Sequence, residues 1–105
     1  MESNDTQKLS VYITWKPTGS IDIDFANLDS VLGRERAMQF MTIISRSLWA
    51  CHIRTAFIDN FRVSVARSES AAPFIISPHD FLRVTRDEIK RVACVAGFEC
   101  DFLRN

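Results

Sequence analysis

Five side chains in this 105-residue chain carry a thiol or an imidazole that could ligate a metal: Cys51, His52, His79, Cys94 and Cys100. Zinc sites usually draw ligands from pairs two to four residues apart, because one tight turn then aims both at a single ion. Cys94 and Cys100 are separated by five residues. On a helix, the neighbours Cys51 and His52 point about 100° apart. The simpler account makes the thiols small buried apolar side chains and the histidines surface groups. No metal and no other cofactor is expected.

Nucleophilic chemistry fares no better. Cys51 with a histidine, or Ser77 with His79 and Asp80, has the right residue types. Neither sits in a nucleophile elbow or other strand-turn-helix context. Ser77 and Asp80 are explained by helix capping. The three glycines are isolated, so there is no phosphate-cradling loop. The chain is expected not to be an enzyme.

Two other groupings point to binding. Asp22 and Asp24 share one strand face, as do Glu99 and Asp101. If their strands are neighbours, four carboxylates come together and could meet a cation or a basic partner. Otherwise they are a solvated face that protects the sheet from association. Met38, Thr42, Ser45 and Trp49 follow one another at helical spacing, on a stripe roughly 80° or more from the apolar stripe of the same helix. Met and Trp are favoured interface anchors. Met38 and Trp49 are therefore the expected contacts with a partner, unless the N-terminal hairpin folds over them.

Val11-Tyr12-Ile13 resembles the opening of the first ribonucleoprotein signature of RNA-recognition motifs. The resemblance covers three residues. The second signature belongs near Phe61–Val65, where its glycine and outward aromatics are missing. What it implies is an alternative use of the open sheet, with Tyr12 stacking a base of single-stranded nucleic acid and Arg62 holding phosphate.

The elements that must position these residues follow from hydropathy periods. Leu9, Val11, Ile13 and Trp15 alternate with polar residues and predict a strand. Lys16-Pro17-Thr18-Gly19 predicts a turn into a second strand, Ile21–Phe25. Asn27, Asp29 and Ser30 offer N-caps to a helix over about residues 30–51, whose buried stripe is Ala37, Phe40, Met41, Ile44, Leu48 and Cys51. Gly33 weakens its first turn, so Arg34 is an alternative start. A hairpin follows, Ile53–Ile58 and Phe61–Ala66, and the first of these strands could instead prolong the helix. Arg67–Pro73 reads as a loop and Phe74–Ile76 as a short edge strand. Ser77-Pro78 opens a second helix, with a further capping box at Thr85 to Glu88 and a glycine stop at Gly97. Phe98, Cys100 and Phe102 alternate in a closing strand.

The expected fold is α+β, a small antiparallel sheet with two helices on one face. Without one strand of the N-terminal hairpin the order is βαββαβ, the ferredoxin-like split βαβ order, and the hairpin supplies an extra strand. Residues 1–8 are expected to be a disordered tail and 9–105 a single domain. Composition agrees: 47% hydrophobic and 25% charged, with eight Phe and two Trp to fill a core. Thirteen basic and thirteen acidic residues cancel, which speaks against a duplex nucleic-acid binder and a polybasic membrane anchor. No signal peptide is expected from the polar first eight residues, and no apolar run reaches membrane length. An odd number of cysteines with no need of a staple suggests reduced thiols and a cytoplasmic protein. The functional expectation is a non-catalytic interaction protein that regulates, inhibits or assembles by binding another protein. A homodimer is plausible through an edge such as Phe74–Ile76.

Overall fold

In the computed structural model, which describes residues 7–68 and 77–104, the chain is an α+β domain. Strands β1 (Lys8–Trp15) and β2 (Ile21–Phe25) form a hairpin. Helices α1 (Leu28–Leu32) and α2 (Arg34–Ala50) follow, then the hairpin β3 (Ile53–Asp59) and β4 (Arg62–Arg67). Helix α3 (Pro78–Val95) leads to strand β5 (Glu99–Arg104). The five strands lie in the order β3-β4-β2-β1-β5. Residues 1–6 of the expected tail and the expected Phe74–Ile76 strand fall outside the described residues, as does most of the Arg67–Pro73 loop. Lys8, assigned above to the tail, already pairs with Glu99 in the sheet.

The sheet is mixed, not purely antiparallel. β2 and β3 run parallel with β4 between them, so β2, the helices and β3 form a split βαβ unit. A ferredoxin-like sheet would set β5 beside β2. Here β1 occupies that place, antiparallel to β2 and parallel to β5. The extra hairpin strand is thus inserted inside the sheet, and its insertion creates the single parallel pairing.

All helices cover one sheet face. The alternation of β1 and β2 puts Leu9, Val11, Ile21, Ile23 and Phe25 beneath them, with Val63 and Val65 from β4. Ala37, Phe40, Met41, Ile44 and Leu48 of α2 and Phe81, Ile89, Val92 and Ala93 of α3 complete the core. The period-two and helical stripes in the sequence locate these residues because each has one apolar side to hide. No helix among the described residues is long and apolar enough to cross a membrane.

Several local expectations change. The helix read over about residues 30–51 starts at Arg34, the alternative that Gly33 offered, because Gly33, at a φ of 82° that suits glycine, separates it from α1. Asn27 does not cap with its side chain. Its amide accepts from Ser10 N (2.8 Å) and donates to Lys8 O (3.0 Å), tying the start of α1 to β1. The proposed box at Thr85 also fails, because α3 runs unbroken through it. Thr85 is buried and donates to Phe81 O (2.8 Å), satisfying its hydroxyl inside the helix. Ser77 does cap α3, accepting from Asp80 N at 3.1 Å. Gly97, at φ 91°, ends it: Phe98 N donates to Ala93 O and Gly97 N to Cys94 O, the paired bonds of a Schellman motif.

Candidate functional site

The site is built on α2 and the edge strand β3. Ser45 of α2 and Thr55 of β3 are hydrogen bonded at 2.6 Å, which fixes the helix alongside the strand. Met38, Thr42 and Trp49 stand on the same helical stripe as Ser45, so the stripe follows the sheet edge. Phe57 lies two residues beyond Thr55, on the same strand face. Met38 is 55% exposed, Trp49 54% and Phe57 58%, so the N-terminal hairpin does not cover them. Thr42 donates back to Met38 O (3.1 Å) within the helix and is exposed. β4 is the sole sheet partner of β3 among the described residues, which leaves its outer main-chain groups facing outward.

The other flank of α2 is closed. Ser47 donates to Glu88 of α3, and Arg91 Nη2 donates to Ser47 Oγ at 3.0 Å. Arg91 also grips Glu88 through Nε (3.1 Å) and Nη2 (2.6 Å). The Arg91 hydrogen bonds outweigh the partial burial of Glu88 and hold its carboxyl below the usual range. A carboxyl so depressed adds stability that is present above its unfolded pKa, about 4.3, and lost as pH falls through its folded value. Glu88→Gln is therefore expected to cost about 1–2 kcal/mol at pH 7. In thermal melts its deficit against the wild-type chain should shrink towards pH 3. A deficit that stays constant with pH would show that the clasp does not depend on the ionised carboxylate.

The open sheet face is built from the residues predicted for it, but the acidic groups do not converge. β1 separates β2 from β5, and the register sets Asp24 and Asp22 level with Tyr12 and Thr14 but Asp101 and Glu99 level with Ser10 and Lys8, so the two pairs lie about 12 Å or more apart. Asp22 pairs with Lys16 at 3.6 Å. Asp24 lies in register between Tyr12 and Arg62, and Arg62 reaches Asp59 at 3.6 Å. The carboxylate between Tyr12 and Arg62 opposes a phosphate backbone there. No group of three or more His, Cys, Asp and Glu among the described residues is placed to hold a metal ion.

The thiols are free, and not all are buried as expected. Cys94 is exposed, while Cys51 and Cys100 are half-buried. Burial pushes the Cys100 thiol up to about 11. Burial, then the nearby Glu88 carboxylate, raises Cys51 as well. These shifts oppose thiolate formation, the reverse of an activated nucleophile. Under native conditions at pH 8, iodoacetamide should modify Cys94 first, with Cys51 and Cys100 slower by about tenfold or more. Peptide mapping of the alkylated chain checks the order.

A cleft of about 570 Å³ lies at the far end of β1, lined by Ile13, Thr14, Trp15, Leu82, Arg86, Phe102 and Leu103. β5 pairs with β1 only as far as Ile13, so Thr14 and Trp15 extend beyond it. Sequence reasoning missed this cleft and the role of Phe57. The alternation Ile53-Thr55-Phe57 carried the signal for Phe57. Nothing local signals the cleft, which depends on where two strands distant in sequence stop pairing. Comparison of the chain with family models, with curated proteins and with solved structures gave no match.

Proposed function

We propose that the protein is a non-catalytic interaction module, a regulator, inhibitor or assembly subunit, that binds another protein through Met38 and Trp49 of α2 and Phe57 of β3. The observation that carries this reading is the half-exposed state of these three large apolar side chains beside a sheet edge that no described residue pairs with. An open edge offers main-chain hydrogen bonds, and an adjoining apolar strip offers side-chain contacts. Together they suit an extended segment of the partner added as a strand. The free cysteines fit a reducing compartment, the cytoplasm in this reading. Balanced net charge and the carboxylates on the open face weigh against nucleic acid as the ligand.

The test compares the tagged wild-type chain with Met38→Ala/Trp49→Ala and Phe57→Lys in pull-downs from the cells that encode it, with and without nuclease. A stoichiometric protein retained by the wild type, resistant to nuclease and lost from both variants, supports the reading. A partner equally retained by both variants, or one lost on nuclease treatment, sinks it. Self-association that both variants abolish would assign the strip to a second copy of the chain instead.

A further inference from the structure

We infer that the cleft between the end of β1 and α3 is a binding site for a monoanionic ligand, a carboxylate carried on an apolar or aromatic body. The walls supply both halves of that chemistry. Ile13, Leu82, Leu103, Phe102 and the half-exposed Trp15 form an apolar lining. Trp15 is held edge-on against Phe81, with ring centroids 6.2 Å apart and planes at 78°, so the indole is fixed at the mouth. Arg86 supplies the charge. Its guanidinium lies over the Phe102 ring, 5.0 Å from the centroid. A cation–π contact of this kind takes up no N–H donor that a carboxylate would need. No carboxylate among the described residues pairs with Arg86, although Arg83 on the same helix is bridged to both Asp80 (3.6 Å) and Asp87 (3.8 Å).

A guanidinium with no carboxylate partner among the described residues, held beside apolar walls, matches a carboxylate, which takes two parallel N–H bonds from the fork. The charge count favours a monoanion over a phosphate. Among the described residues, only Arg86 of the charged side chains lines this cleft. The neighbouring groove of about 300 Å³, which adds His79, Arg83 and Lys90, also carries the Asp87 carboxylate. A dianion extending that way would meet it. The site lies on a different part of the fold from the α2–β3 strip and does not depend on that strip's role.

The probe is N-acetylphenylalanine, titrated into the full ¹⁵N-labelled chain while the Trp15 indole N–H and the Arg86 side-chain N–H are followed by NMR. A fragment of this size should saturate with Kd on the order of 1 mM. N-acetylphenylalaninamide, which lacks the anion, should bind at least about tenfold more weakly. Arg86→Gln should weaken the acid about tenfold or more while leaving its amide unchanged, and Arg86→Lys should fall between. Met38→Ala/Trp49→Ala should leave the titration unaltered. A pentapeptide ending in phenylalanine with a free carboxylate separates the two sources of this chemistry. Binding about tenfold tighter than the free acid assigns the site to protein C-termini, and equal or weaker binding assigns it to small molecules. No shift at Trp15 and Arg86 up to about 20 mM acid, equal affinity for acid and amide, or tighter binding of adenosine monophosphate than of the acid would each overturn the proposal.

Discussion

Phe81→Ala is expected to lower stability by about 3–5 kcal/mol, the range for a buried aromatic cut to a methyl. Phe81 is only 1% exposed and heads the largest fully buried side chains. It sits in the first turn of α3, where it packs against the sheet and edge-on against Trp15. Deletion therefore opens a cavity under the helix and removes the support of the indole. A domain of this length has about 5–15 kcal/mol to lose, so the Tm should fall by well over 10 °C. Phe81→Leu keeps most of the volume and should cost about 1.5 kcal/mol or less. Thermal or urea melts of the two variants check both figures. Similar small losses in both would mean that α3 is anchored elsewhere, at Ile89 and Val92.

Met38→Ala/Trp49→Ala should do the opposite, leaving stability nearly intact and removing binding. Both side chains are more than half exposed, so truncation creates no cavity. Surface changes of this kind stay within about 0.5 kcal/mol each. Anchors of these types at the centre of an interface contribute about 2 kcal/mol or more apiece, which corresponds to a loss of affinity of several hundredfold or more for the pair. Measured by calorimetry or interferometry on the captured partner, such a loss with an unchanged Tm separates an interaction surface from a core. A Tm that falls with the affinity would show that the pair supports the fold.

The contrast between these two predictions also marks what could be read from the chain. Period-two alternation located β1, β2, β4 and β5, because each strand hides one face and wets the other. The helical stripe of α2 by itself separates Ala37, Phe40, Met41, Ile44 and Leu48 from Met38 and Trp49. The placement of strands was not legible. Alternation says which face a residue takes but not which strand lies beside it, so the insertion of β1 between β2 and β5 was missed. That one fact disperses the four carboxylates and makes the sheet mixed. Capping residues misled for a related reason. Asn27 and Glu88 have the types that close a helix start, but other partners took them: the β1 main chain for Asn27, and Ser47 of α2 with Arg91 one turn further along α3 for Glu88. The cleft at Trp15 and Arg86 joins residues about 70 positions apart and had no local trace.

The pairing of β1 with β5 also sets an order of events in time. Lys8 and Glu99 are partners across almost the whole chain, whereas β1–β2 and β3–β4 join neighbours in sequence. Local hairpins close in microseconds, while contacts of long sequence separation come late and slow the overall rate. During synthesis the outer margin of β1 must wait, unpaired, until β5 has left the ribosome. In that interval Leu9, Val11 and Ile13 border an open ladder that another nascent chain could occupy. The six-residue β5 is thus the latch that ends the period of greatest aggregation risk.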